Sequence, residues 1–160
     1  MNPELVWILA HTDQHYADAA MLMRAYAQEL PIKLDFQGFD AELTELPQMY
    51  AHPTGGLWLV YANNIPVACV GVRFFDEGVG ELKRMYIQPA FRGKGIGKNL
   101  VDRSLSLAMQ LGYTQVLLDT LDTMTPAIRC YEAAGFQRID AYYFNPEPNV
   151  LYFAWTHHGQ

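Results

Sequence analysis

The sequence predicts an α/β (α+β) fold: a mixed, mostly antiparallel sheet with a central parallel βαβ unit and helices on both faces. Three observations carry this. Two β-rich runs, Leu57–Tyr61 and Pro66–Phe74, flank Asn63-Asn64, residues that tolerate the positive φ of a tight hairpin. A strand pattern over Val79–Ile87 passes through a glycine-rich turn directly into a helix pattern. A second strand pattern, Thr114–Leu121, follows that helix, and its Val116-Leu117-Leu118 run suits a strand covered on both faces. Strand, helix and strand in that order imply a parallel pair joined by a right-handed crossover.

The elements follow in order. Val6–Ala10 is a short apolar run suited to a first strand, and Thr12 or Asp13 can cap a helix with Tyr16, Ala20, Met21 and Ala25 at helical spacing, ending before Pro31. Asp40 is placed to cap a short helix whose Leu43, Leu46 and Tyr50 face inward, with Pro47 ending or kinking it. Asp76-Glu77-Gly78 turns into the strand at Val79. After the glycine loop, Leu100, Val101, Ser104, Leu105, Ala108 and Leu111 share one helix side, and Gly112 stops that helix. Thr125 and Pro126 read as N-cap and N1 of a short helix closed by Gly135-Phe136. Arg138–Phe144 and Val150–Thr156 read as two last strands around the loop NPEPN.

Length and composition bound the function. A chain of 160 residues fits one domain, 1–160, and buries roughly two-thirds of its unfolded surface. The hydrophobic fraction of 51% is that of a globular protein. No window reaches the roughly 18 apolar residues of a membrane span, and the N-terminus lacks the cationic lead of a secretory signal. A formal net charge of −6 argues against nucleic acid. The two cysteines, Cys69 and Cys130, sit in apolar settings, which favours reduced thiols and a cytoplasmic location.

Within this acidic chain, five of the eleven Lys and Arg fall between Lys83 and Lys98, around the glycine-rich turn. A helix N-terminus entered from glycines offers unpaired N–H groups and a favourable dipole to phosphate. A P-loop needs four residues between its glycine and Gly-Lys; Gly93 and Gly97 enclose three, and Asn99 stands where Ser or Thr should bind magnesium. The dinucleotide pattern fails because Lys98 occupies the third glycine's place. R-x-x-G-x-G over Arg92, Gly95 and Gly97 is what fits; on the loop alone, a turn without a ligand stays open.

The strand ELKRMYI, the loop QPAFRGKGIG and the later A-x-x-x-Y-x-x-x-G-F (Ala127, Tyr131, Gly135, Phe136) stand in an order and spacing that resemble the GNAT superfamily of acyl-CoA-dependent N-acetyltransferases. The resemblance is close over the second half and looser over the N-terminal helices and hairpin. LDFQGFDAEL, LDT and YYFNPEPN resemble a bacterial subgroup whose substrate has no name to carry over. Met124 departs from the pattern, since many members carry Asn three residues before the alanine that is Ala127 here.

The resemblance implies acetyl-CoA as acyl donor, with its pyrophosphate on the backbone amides of Arg92, Gly93, Lys94, Gly95, Ile96, Gly97 and Lys98. It implies a pantetheine arm lying against Met85, Tyr86 and Ile87, where the family's strand bulges away from its neighbour and frees backbone groups. It implies an acid at Glu81 as general base, directly or through water, and Tyr131 as general acid near the thioester sulfur; the Met85 amide is the natural donor to the oxyanion. By simple alternation Glu81 and Met85 share a face. Blander readings remain: Glu81 as a strand-edge carboxylate paired with Lys83 or Arg84, and Tyr131 as a core tyrosine.

Phe36 and Gln37, with Tyr142, are placed by chain position to line an acceptor pocket for a small-molecule or peptide amine. His11 and His15 stand at i, i+4, but no third ligand is in register, so no metal is expected and surface histidines are the simpler reading. His157 and His158, at the chain end, are expected to be disordered. The resemblance allows a homodimer, which no residue specifies. Neither nucleic acid nor membrane is expected as a partner. A competing function is an acyl-CoA-binding module without catalysis, which requires neither Glu81 nor Tyr131.

Overall fold

The structure is a computed structural model and describes residues 3–31 and 38–157. Strand β1 (Leu5–Leu9) pairs antiparallel with β2 (Gly56–Ala62), β2 with β3 (Ile65–Asp76), and β3 with β4 (Val79–Ile87). Asn63 and Asn64, at φ of 50° and 66°, make the expected turn between β2 and β3. β4 runs parallel to β5 (Gln115–Leu121), and β7 (Val150–Thr156) lies antiparallel between β5 and β6 (Gln137–Ile139). The sheet order is β1-β2-β3-β4-β5-β7-β6.

Helix α1 (Asp13–Glu29) starts at Thr12, whose Oγ1 accepts from the His15 amide at 3.1 Å while His15 Nδ1 accepts from the Thr12 amide at 3.3 Å. This is a capping box in which histidine takes the usual glutamate's place. The His11–His15 pair is thus engaged in helix capping, and among the described residues no group of three potential ligands gathers around it.

The short segment that begins at Gly38 forms α2 (Phe39–Thr44) and α3 (Leu46–Met49). Asp40 is not the cap. Gly38 is, at φ 70°, a conformation that glycine adopts without cost, and Asp40 lies in the first turn. Pro47 opens α3, so the break expected there occurs, and Leu43, Leu46 and Tyr50 are buried as expected.

Helix α4 (Ile96–Gln110) connects the parallel pair, and α5 (Thr125–Ala133) follows β5. Met124, rather than Thr125, occupies the N-cap of α5, which moves Pro126 one position into the first turn, still where its missing N–H costs nothing. The strand expected over Arg138–Phe144 shortens to Gln137–Ile139. Beyond it Tyr142 and Tyr143 turn their hydroxyls onto Glu81 and Asp119 instead of continuing a ladder. At the C-terminal end the His157 amide donates to the Thr114 carbonyl at 2.7 Å and its ring stacks on Trp155, so the disorder expected there does not hold for His157; His158 lies outside the described residues.

Period-two alternation splits the sheet into two packed faces. Leu57, Leu59, Cys69 and Tyr86 face α1 through α3 together with Leu22, Met23 and Tyr50. Val60, Val70, Val72, Leu82, Leu118 and Phe153 face α4 and α5 with Leu100 and Val101. Each such aliphatic or aromatic side chain contributes about 1.5–3 kcal/mol when fully buried. Among the described residues no helix is long and apolar enough to cross a membrane.

Candidate active site

The site begins where β4 and β5 part. They pair only at Val79–Gln115, Gly80–Val116 and Glu81–Leu117, whereas β5 pairs with β7 along its whole length. The cause lies in β4. Its register on β3 runs Gly71–Lys83 and then Cys69–Tyr86, leaving Arg84 and Met85 without partner residues, and Arg84 sits at φ 61°. This is a β-bulge, which bends the strand and raises its twist.

The bulge reverses the alternation. Glu81, Lys83 and Tyr86 stand opposite Arg73, Gly71 and Cys69 on one face, while Met85 and Ile87 pack with the opposite core. Glu81 and Met85 therefore do not share a face. The residue inserted at the bulge defeats the simple count.

A non-glycine residue in the left-handed region costs roughly 1–2 kcal/mol, and a buried ion pair offsets it here. Arg84 donates to both oxygens of Glu42, at 3.0 and 2.8 Å, with both side chains 7% exposed. Tyr50 donates to the same carboxylate, and the Arg84 guanidinium lies over the Phe39 ring. Burial alone would raise the Glu42 carboxyl, but the Arg84 hydrogen bonds and charge hold it below the usual range.

At the far end of β4 the Gln88 amide donates to the Val67 carbonyl of β3. Alternation turns the backbone groups of Ile87, and of Met85 before it, toward the gap. Arg92 Nε already donates to the Ile87 carbonyl at 2.8 Å, so Met85 offers the freer backbone groups. Tyr86 points its side chain the other way, its hydroxyl on Glu29 and its ring beneath Arg92. That contact pushes the Tyr86 phenol up to about 12, burial first and the Glu29 carboxylate second.

The loop then delivers a row of amides. The Arg92 amide donates to the Pro89 carbonyl and the Asn99 amide to the Gly95 carbonyl, each at 3.3 Å; between them, among the described residues, the amides of Gly93 through Lys98 have no acceptor. Within the expected row the Arg92 amide is engaged by the Pro89 carbonyl, and its guanidinium is divided between Ile87 and Glu29. Gly93 and Gly95, at φ 76° and 83°, make the turn, and Gly95 caps α4 without a side-chain bond. Gly97 answers a different need: a Cβ there would meet Cys130 Sγ at 3.2 Å and Ile87 Cδ1 at 3.4 Å. Lys94 lies over the Phe91 ring and Lys98 pairs with Asp102, both at the surface.

Between the splayed strands lies a cavity of about 40 Å³, room for a few waters and far less than a whole acyl-CoA. Lys83, Arg84 and Met85 line it from β4, Asp119 and Thr120 from β5. Met124, Ala127 and Tyr131 line it from α5 and Tyr26 from α1. Met124 thus presents a thioether where the sequence pattern favours an amide. Tyr131 is 5% exposed, its ring edge against Phe136, and among the described residues its hydroxyl has no hydrogen-bond partner. Burial pushes its phenol far above the ordinary value.

Glu81 is 2% exposed and does not pair with Lys83 or Arg84. Arg73 holds Oε1 at 2.9–3.0 Å, and the Tyr142 hydroxyl donates to Oε2 at 2.6 Å. Tyr142 packs edge-on against Phe75 and Tyr152. Two of the sequence-derived site residues, Glu81 and Tyr142, are thereby brought into contact; Phe36 and Gln37 lie outside the described residues. Arg73, Tyr26, Lys83 and Asp119 were not singled out from sequence. Of these, only Lys83 falls in the Lys83–Lys98 concentration of charge that the sequence shows; the others carry no local signal.

Residues 19–136 match the Acetyltransferase (GNAT) family. An uncharacterized N-acetyltransferase of Schizosaccharomyces pombe is 40% identical over 156 residues, covering 95% of both chains. Among solved structures, a GNAT-family acetyltransferase of Staphylococcus aureus superimposes with a TM-score of 0.79 at 19% identity, covering 96% of this chain and 99% of that one. An acetyltransferase of Salmonella typhimurium, solved with its cofactor acetyl-CoA, gives 0.68 at 17% identity over 95% of this chain and 93% of that one. These two establish likeness of fold. With the family match spanning most of the chain, this protein belongs to the GNAT acetyltransferases and is an acyltransferase.

Proposed function

We propose that residues 1–160 act as one catalytic domain that moves an acetyl group from acetyl-CoA to a primary amine, small-molecule or peptide-borne, by direct attack on the thioester. The observation that carries this is the run of acceptor-free amides from Gly93 to Lys98, beside a strand gap that ends at Tyr131. Glycines without side chains and the positive end of the α4 dipole suit a diphosphate, and the open edge of β4 suits a peptide-like arm.

Bound acetyl-CoA supplies an activated acetyl thioester. The amides of Gly93 through Lys98 hold its diphosphate, and the backbone of Met85 orients the arm within the gap. The Met85 N–H stabilises negative charge on the reacting carbonyl oxygen, a contribution typically of about 3 kcal/mol. Glu81, fixed by Arg73 and Tyr142, takes the proton from the amine. Tyr131 donates one to the departing sulfur; its burial keeps the phenol protonated for that task.

Similarity of 40% to a fission-yeast protein means that resemblance of this degree is not confined to bacteria. Cys69 and Cys130 are free thiols, which supports a reducing, cytoplasmic setting. The test is twofold. Acetyl-CoA at one hundred times its dissociation constant should add about 2.7 kcal/mol of stability, and a panel of amines should include some that release CoA above a no-amine blank. Binding without turnover of any amine would leave only an acyl-CoA-binding module.

A further inference from the structure

Three cations crowd the middle of the sheet beside the gap, and two of them are matched. Arg73 is paired with Glu81, and Arg84 is paired with Glu42 through two nitrogens. Lys83 is the exception: among the described residues it forms no ion pair and no hydrogen bond. It is not a solvated surface lysine either. It is half-buried, stands opposite Gly71, and lines the same cavity as Met85 and Tyr131. Asp119 also lines the cavity, but it makes no ion pair with Lys83 and accepts a hydrogen bond from Tyr143. Burial lowers the Lys83 pKa, while the neighbouring Glu81 and Asp119 carboxylates act in the opposite sense and favour its charged form.

A half-buried ammonium that makes no direct ion pair, beside an acceptor site, works against an ordinary amine, which arrives as an ammonium ion of the same sign. It favours an amine that brings its own anion. Lys83 and Glu81 lie on one face, two residues apart along β4, about 7 Å at the backbone. That spacing suits a molecule whose amine and carboxylate are separated by only a few bonds. We propose that Lys83 recognises a carboxylate on the acceptor, so that the preferred substrates are small carboxylate-bearing amines of the amino-acid type. This rests on the acetyltransferase reading above: the amine is presented to Glu81 while Lys83 holds the acid.

The test compares amino acids, each beside its carboxamide and its decarboxylated amine, with an acidic dipeptide included to separate a free amino acid from a peptide as the source of the carboxylate. CoA release is followed with wild type, Lys83→Met and Lys83→Arg. The expected result is a kcat/KM at least tenfold higher for a free carboxylate-bearing member than for its two uncharged analogues and the dipeptide. Lys83→Met should raise KM for that member about tenfold and erase the preference, Lys83→Arg should retain it, and acetyl-CoA affinity should not change. Equal or better turnover of the decarboxylated amines by wild type overturns the proposal, as does a Lys83→Met variant that lowers kcat on every acceptor at constant KM. A dipeptide preferred over every free amino acid overturns it too. Failure of every amine to release CoA despite acetyl-CoA binding instead removes the acetyltransferase reading, and this inference with it.

Discussion

The Tyr142 hydroxyl donates to Glu81 Oε2 at 2.6 Å while Arg73 holds Oε1, so three separate stretches of chain converge on one buried carboxylate. Burial at 2% exposure makes such support necessary, and it fixes the carboxylate in one orientation. As the proton acceptor, Glu81 changed to Gln should lose about 10²–10⁴-fold in kcat, the range usual for a positioned base, with acetyl-CoA affinity unchanged. Tyr142→Phe should give a smaller loss on the acceptor side. Steady-state kinetics with both substrates varied will check this, and a Glu81→Gln enzyme of wild-type kcat would remove Glu81 from the chemistry.

Tyr131→Phe should slow transfer strongly and leave the dissociation constant of acetyl-CoA unchanged. Because burial raises the phenol above its ordinary value of about 10, the acid form persists through that pH. A kcat–pH profile of the wild type should therefore show no alkaline loss traceable to Tyr131 below about pH 10. An alkaline limb in that range that vanishes in Tyr131→Phe would contradict the assignment.

The bulge depends on Arg84 and Glu42. Arg84→Met leaves a buried carboxylate unpaired and should cost about 3–5 kcal/mol in denaturant unfolding. The pH dependence follows from sign. The Glu42 carboxyl is held low in the folded state, so its contribution is complete above the ordinary carboxylate range and is lost as pH falls through the depressed value. The double variant Glu42→Gln, Arg84→Met should lack that part of the acid destabilisation, measured as unfolding midpoints between pH 7 and 3.

Gly95→Ala separates conformational cost from clash. At φ 83° an L-residue is strained, yet an added Cβ would meet nothing within 4 Å. The expected loss is about 1–2 kcal/mol of stability, with an unchanged denaturant slope and weaker CoA binding. A variant as stable as wild type would show that the turn does not need glycine there.

Much of this was legible in the residues because the signals are local. Asn63-Asn64 announces its positive φ by residue type, the apolar spacing of α4 follows its periodicity, and Gly93 and Gly95 mark the turn before it. The features that escaped are long-range or of the wrong residue type. Arg84 occupies a left-handed position that sequence assigns to glycine or asparagine, and what holds it there, Glu42, is 42 residues away. The resemblance implied a bulge in this strand, but simple alternation counted across it and so put Glu81 and Met85 on one face. Tyr142 and Tyr143 have strong strand propensity, yet their hydroxyls are claimed by Glu81 and Asp119, 61 and 24 residues distant, and no strand forms.

Amide chemical shifts measured during a titration with CoA probe the diphosphate site atom by atom. If the amides from Gly93 to Lys98 take the diphosphate, their ¹H–¹⁵N resonances should move downfield together as hydrogen bonds form, while the already bonded Arg92 and Asn99 amides move least. Saturation by CoA with Gly93 through Lys98 unmoved would place the diphosphate elsewhere and contradict the acetyl-CoA reading of this site.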